Sequence, residues 1–283
     1  MRRFQSAQGL PATGHCDEPT WLAVVEASWR LGDRSLQLQA PFLRGDDVIA
    51  VQTTLARLGF DSGRIDGIFG PSTARALGDF QRNCGLVDDG VCGPFTTRAL
   101  EVNAARSGSG PGIATLRELS RLGAVSATLR DQRIVVGQFG GLGPLSHQLC
   151  SQLRQRGALV VATDHTDPSA HAAAANRHGA VVYLGFESSA DAAACLAYYA
   201  TAGFSSPGGA ALAGQLARHL AGWSGADPQV EGRRLPVLRE TSMTAVVVTL
   251  GPIQHVVDEA AAISDAVVGA VAAWTTAPLA VGS

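Results

Sequence analysis

The chain of 283 residues contains no lysine; all 22 of its lysine-or-arginine positions are arginine. That absence excludes two chemistries. A P-loop reaches nucleotide phosphates with a lysine, and Schiff-base catalysis needs a side-chain amine. Arginine in place of lysine throughout points to a GC-rich genome. Charge imbalance is lacking too: the formal net charge is −2, so no footprint for nucleic acid or acidic lipid stands out. The five cysteines (Cys16, Cys84, Cys92, Cys150 and Cys195) are odd in number and show no CxxC spacing, which argues against a disulfide framework or a zinc knuckle. No apolar run reaches spanning length; "AVVVTLGPI" falls far short. The opening "MRRFQSAQGL" has charge but no apolar signal-peptide core. The expectation is a cytoplasmic protein with no membrane span, the cell wall being the alternative location.

What is present is an internal repeat. "RFQSAQGLPATGHCDEPTW" at 3–21 matches "DFQRNCGLVDDGVCGPFTT" at 79–97 with a constant offset of 76. Phe4 corresponds to Phe80, Gln5 to Gln81, Gly14 to Gly90, Cys16 to Cys92 and Thr20 to Thr96. The second copy is longer and starts near Leu43. Asp46 can cap a helix whose Val48, Val51, Leu55 and Leu58 share one face, with Gly59 ending it. Asp66-Gly67 supplies a turn, and Pro71 suits the first position of a second helix that turns Ala76, Leu77 and Phe80 inward. "LVDDGVCGPFTTRAL" repeats the device, which predicts a small all-α three-helix domain.

The pattern of Asp66, Gly67, Gly70, Thr73, Ala76, Phe80, Gln81, Gly85, Leu86, Asp89, Gly90, Gly93 and Thr96 resembles the peptidoglycan-binding domain family. The resemblance implies peptidoglycan or a muropeptide precursor as ligand. It puts Asp66, Gly67, Gly70, Gln81, Asp89 and Gly90 forward as ligand-binding residues, the glycines also serving as turn formers. Residues 1–30 read as the C-terminal half of a first repeat lacking its opening helix, so one apolar face is left uncovered. Residues 43–104 read as the complete repeat, and 105–132 as a Gly/Ser/Pro-rich linker with a short amphipathic helix over 113–123.

From Arg133 the chain alternates. Apolar runs at 134–137, 158–163, 181–186, 195–200 and 245–250 are interleaved with helical stretches at 145–156, 168–178, 208–223 and 256–274. Alternation of this kind predicts an α/β domain over 133–276 with a mostly parallel sheet, whose ligand site lies at the carboxyl ends of its strands.

The first such end is "RIVVGQFGGLGP". Gly137, Gly141 and Gly143, with Asp164 about 20 residues on, resemble the cofactor loop of short-chain dehydrogenases and give a nucleotide-binding reading. That family's Tyr-x-x-x-Lys pair has no counterpart in a chain without lysine, and Pro144 stands where amides should donate. A different resemblance covers more of the chain. "HAAAANRHGAVVYLGFESS" at 171–189 and "LRETSMTAVVVTLGPIQH" at 238–255 resemble core motifs of the N-acetylmuramoyl-L-alanine amidase family, keeping Ala175, Asn176, Gly179, Ala180, Leu238, Arg239, Thr241, Met243, Ala245, Val246, Val248, Leu250 and Gly251.

That family holds zinc with two histidines and a glutamate, and a further glutamate acts as base on the metal-bound water. At the matching positions Gly140 replaces the first histidine, Glu187 the second and Thr249 the base, and "GPLSHQLCSQLRQRG" offers no acid. The resemblance therefore implies no cofactor, the zinc ligands being lost, and no catalytic residue. His165, His171 and His178 read as solvated surface side chains. The function expected is a binding or regulatory protein of cell-wall metabolism with an inactive amidase-like domain, open to a protein partner, as in actinobacterial proteins of this order. The alternatives are an active zinc amidase with ligands displaced to His147, His165, His171 and Glu187, and the nucleotide-binding reading.

Overall fold

The computed structural model describes residues 1–106, 111–190, 193–201, 203–223 and 227–279. The chain divides into two compact units, Met1–Glu118 with Thr201–Phe204, and Leu119–Ala200 with Ser205–Ser283. Part of the expected linker, 107–110, lies outside the described residues.

The first unit is helical: α1 (Arg2–Gln8), α2 (Glu18–Ser28), α3 (Asp46–Arg57), α4 (Pro71–Asn83) and α5 (Pro94–Arg106). Asp17 caps α2 by accepting from the amide of Thr20. Gly45 rather than Asp46 occupies the cap of α3, and Asp46 sits in the first turn, where an acid favours the helix dipole. Val48, Val51, Leu55, Phe69, Ala76, Leu77, Phe80 and Leu100 form one core. Burial of the Asp47 carboxylate is answered by Arg34, whose Nε donates to it at 2.7 Å. By contrast α2 buries little but Thr20 and leaves Trp21 58% and Leu22 55% exposed.

Further along come α6 (Ile113–Gly123), β1 (Arg133–Gln138), α7 (Gly143–Gln155), β2 (Leu159–Thr163), α8 (Pro168–His178), β3 (Val182–Ser188), β4 (Ala193–Thr201), β5 (Phe204–Ser205), α9 (Pro207–His219), β6 (Gln229–Arg233), α10 (Pro236–Glu240), β7 (Thr244–Gly251), α11 (Ile253–Asp258) and α12 (Ala260–Thr276). The sheet order is β2-β1-β3-β7-β4-β5, with β6 beside β4. β1, β2, β3 and β7 run parallel, whereas β4 is antiparallel to β7 and parallel to β6. The sheet is therefore mixed.

Strand alternation assigns its two faces. Ile134, Val136, Leu184, Phe186, Val246 and Val248 join Leu145, Leu149, Leu216, Val267, Val271 and Trp274 of α7, α9 and α12 in the larger core. Residues of the other parity, Gly137, Tyr183, Gly185, Glu187 and Thr249, turn to the opposite face, where α8 lies against β1. Asp167 caps α8, and Gly179, at φ 60°, ends it in the left-handed region.

Candidate functional site

The helical unit places its predicted ligand residues in a recurring device. The Gln81 side chain is 1% exposed, and its Nε2 donates to Asp89 Oδ1 at 2.8 Å, the Val91 carbonyl at 3.0 Å and Thr96 Oγ1 at 3.0 Å. Its Oε1 accepts from the amide of Gly90 at 2.8 Å. Gln5 does the same with Thr13, the His15 carbonyl, Thr20 and the amide of Gly14. A third copy is built on Gln52, which donates to Asp66, the Ile68 carbonyl and Thr73 and accepts from the amides of Asp66 and Gly67.

Each device bolts a buried helical glutamine to the next turn and the helix that follows. Asp66, Gly67, Gln81, Asp89 and Gly90 are thus brought together in two such clusters, and Gly70 stands at the head of α4. Hydrogen bonds to Asp89, first from the Val91 amide and then from the Gln81 side chain, hold its carboxyl below the usual carboxylate range. Sequence reasoning paired Gln5 with Gln81 and missed Gln52. The signal was there: "IDGIFGPSTARAL" repeats as "DDGVCGPFTTRAL" at an offset of 23.

In the α/β unit the three positions singled out by the amidase resemblance sit at strand ends. Gly140 follows β1 with φ 129°, and a side chain there would enter open space. Glu187 and Thr249 are register partners across β3 and β7, and the Thr249 hydroxyl donates to Glu187 Oε2 at 3.4 Å. Cys195 on β4 lies opposite Thr249, its thiol pushed up by burial and only partly relieved by Arg233. α7 carries no acid. Among the described residues no three His, Cys, Asp or Glu side chains converge as metal ligands. A carboxylate and a thiol do not make up the roughly three protein ligands that zinc takes, so the residues present do not fit the family's metal.

His147 and His165 are exposed, and His178 is half-buried with its ring facing the Leu159 carbonyl. His171 corrects the surface reading, because it is 0% exposed. Its Nε2 lies 2.6 Å from the His165 carbonyl and its Nδ1 2.8 Å from Tyr183 Oη. A carbonyl only accepts, so Nε2 carries the proton and Tyr183 donates to Nδ1. The ring stacks on Phe139 at 4.4 Å. The space for it comes from Gly137: a Cβ there would run into His171 and Tyr183. Gly185, its register partner, is confined in the same way by Tyr183 and Phe139. Burial lowers the His171 pKa and raises that of Tyr183.

The glycine loop after β1 is closed on itself. Gln138 Oε1 accepts from the amides of Gly140 at 2.9 Å and Leu142 at 3.3 Å. These are donors that a phosphate at this loop would need. Gly137 is buried in the sheet, Gly143 starts α7, Gly141 lies against Ile253, and Asp164 is exposed beyond β2.

The motif residues retained from the amidase pattern are structural. Asn176 donates to the Glu240 carbonyl at 2.9 Å, while its Oδ1 accepts from both the amide and the hydroxyl of Ser242. It fastens α8 to the segment between α10 and β7. Ala175, Leu238, Val246, Val248 and Leu250 are fully buried.

Comparison with known proteins places these features. The peptidoglycan binding domain family matches residues 44–100. N-acetylmuramoyl-L-alanine amidase CwlM of Mycobacterium tuberculosis is 35% identical over 90% of this chain and 70% of its own length. A spore cortex-lytic enzyme of Oceanobacillus iheyensis is 48% identical over 18% of this chain and 19% of its own. The solved N-acetylmuramoyl-L-alanine amidase from Clostridium difficile superposes with a TM-score of 0.43 and 13% identity, over 52% of this chain and 98% of that one. With a peptidoglycan-binding domain, an α/β unit built on retained amidase framework residues and a relative 35% identical over 70% of its own length, the chain belongs to the N-acetylmuramoyl-L-alanine amidase family as a cell-wall amidase-like protein of the CwlM type.

Proposed function

We propose that the chain is a binding or regulatory protein of cell-wall metabolism whose amidase-like unit does not hydrolyse its ligand. One observation carries this reading. The residues retained from the amidase motifs hold the frame, Asn176 by its three hydrogen bonds and Leu238, Val246, Val248 and Leu250 by burial, while the positions of the chemistry hold Gly140, Glu187 and Thr249. Selection for folding without selection for metal chemistry leaves that asymmetry. Glycine offers no donor atom and threonine no general base at neutral pH.

The ligand of the helical unit is peptidoglycan or a muropeptide precursor, a reading supported by the match over residues 44–100. We place it on the turns at Asp66–Gly70 and Asp89–Gly90, with Gln81 behind them fixing their shape rather than touching the glycan. A second role, docking a protein of cell-wall synthesis, fits a unit that binds without reacting. A co-sedimentation assay of the full chain with murein sacculi, run beside a pull-down from cytoplasmic extract, tests the reading. Retention on sacculi, or recovery of soluble muropeptides from the extract, is expected. Retention of neither would remove the binding function.

A further inference from the structure

The chain gathers arginine at the amino ends of β1 and β2. Arg130 and Arg133 flank the start of β1, Arg154 and Arg156 stand at the end of α7, and Arg177 lies in the last turn of α8. All five are exposed. The main chain ties their segments together. The Asp131 amide donates to the Gly157 carbonyl at 2.9 Å, and the Leu159 amide to the Gln132 carbonyl at 2.8 Å. Arg133 and Leu159 are register partners. Arg133 Nε donates to the Gly179 carbonyl at 2.9 Å, and Arg154 Nη2 to the Val160 carbonyl at 3.0 Å.

Across 130–133, 154–160 and 176–179 the only acid is Asp131. Among the described residues none of the five arginines forms an ion pair, whereas Arg34, Arg82, Arg233 and Arg239 are each answered by a carboxylate. Helix ends account for part of the cluster, since a cation in the last turn of α7 or α8 favours the helix dipole. Arg130 and Arg133 belong to no helix. The whole chain carries a formal charge of only −2, so the positive patch is local.

We propose that this patch docks an acidic peptide segment of a partner protein. Three features select that occupant. The charges are all guanidinium groups, whose planar fork matches a carboxylate. Arg133 and Arg154 are each held by one main-chain carbonyl and keep their other N–H groups free, so their spacing is set before anything binds. A row of carboxylates uses a fixed spacing; a fluid layer of headgroups gains nothing from it. Finally, α7 and α8 turn their carbonyl ends to the patch, the wrong polarity for cradling a small phosphate. Only the side chains carry positive charge, at separate points along the surface. Leu159, 51% exposed, lies among them as an apolar contact. The inference is independent of the ligand of the helical unit and of whether the amidase-like unit turns over.

Fluorescence anisotropy of a labelled oligoglutamate peptide, titrated with the full chain at low salt, reads the docking directly. The peptide should bind and be released as salt rises, and an oligoglutamine of the same length should not bind. Arg130→Glu and Arg156→Glu should each weaken binding by about fivefold or more. Neither side chain is hydrogen-bonded among the described residues, so the Tm should hold in both variants. Arg218→Glu makes the same charge change on an exposed turn of α9 and should leave the affinity unchanged. Absence of binding at low salt overturns the proposal, as does an equal loss in Arg218→Glu, which would reduce the effect to net charge. Binding of phosphatidylglycerol vesicles or inorganic pyrophosphate without binding of oligoglutamate overturns the partner.

Discussion

His171 shows how a single residue can be misread in sequence and what its true setting costs. It lies in "PSAHAAAANRH", where alanines on every side blur any helical period. Its partners are remote: Tyr183 on β3, and the slot opened by Gly137 and Gly185, which meet only once the strands are in register. The folded state holds the imidazole neutral, with burial the leading cause; the hydrogen bond to the His165 carbonyl, Asp164 and Asp167 pull the other way, and the nearby His165 ring adds to the depression. A depressed folded pKa means that the unfolded chain takes up the proton first. The contribution to stability is therefore complete above the unfolded value of about 6.5 and is lost as the pH falls through the lower folded value. Thermal unfolding followed across that range should show a decline in Tm that His171→Phe flattens. Tyr183→Phe leaves Nδ1 without its donor and should cost about 1–2 kcal/mol in urea unfolding. Gly137→Ala drives a methyl into both rings and should cost about 1–3 kcal/mol by the same measurement.

At the scale of elements, the glutamine clamp explains why the helical unit was the most legible part of the chain. Glutamine, a turn with glycine, and threonine recur because each supplies one half of a hydrogen bond that burial makes expensive to lose. The 76-residue repeat was visible because both of its copies keep the same spacing from glutamine to threonine, 15 residues for Gln5 to Thr20 and for Gln81 to Thr96. Gln52 escaped notice because its threonine lies 21 residues on, the turn being longer. Gln5→Ala, Gln52→Ala and Gln81→Ala should each destabilise the helical unit by about 1–3 kcal/mol, since each strands several buried partners. Near-zero effects in denaturant titrations would show the clamps to be incidental. In the α/β unit the long apolar strands were read correctly, but β6 was not, because "QVEGR" is polar and carries glycine. The reversal of β4 was equally hidden: strand direction depends on which edge the chain returns to, and no local pattern records that.

Across the whole molecule, the framework residues of the amidase pattern persist where the residues of its chemistry do not. The amidase framework was legible in Asn176, Leu238 and the β7 core, and these residues do structural work that a chain must preserve to fold. On the proposed reading the site is legible only as missing chemistry, since Gly140 and Thr249 announce nothing by themselves; their meaning comes from their neighbours in the motif. On the proposed reading the fold owes nothing to a bound metal, so chelator should leave the Tm of the full chain unchanged. The most direct measurement combines binding and turnover on one sample: purified full chain supplied with zinc and murein sacculi, assayed for bound zinc, retained protein and newly freed L-alanine amino groups. The account predicts protein retained on the sacculi, no stoichiometric zinc and no release above that of sacculi alone. One zinc per chain together with cleavage of the muramoyl–alanine bond would contradict it.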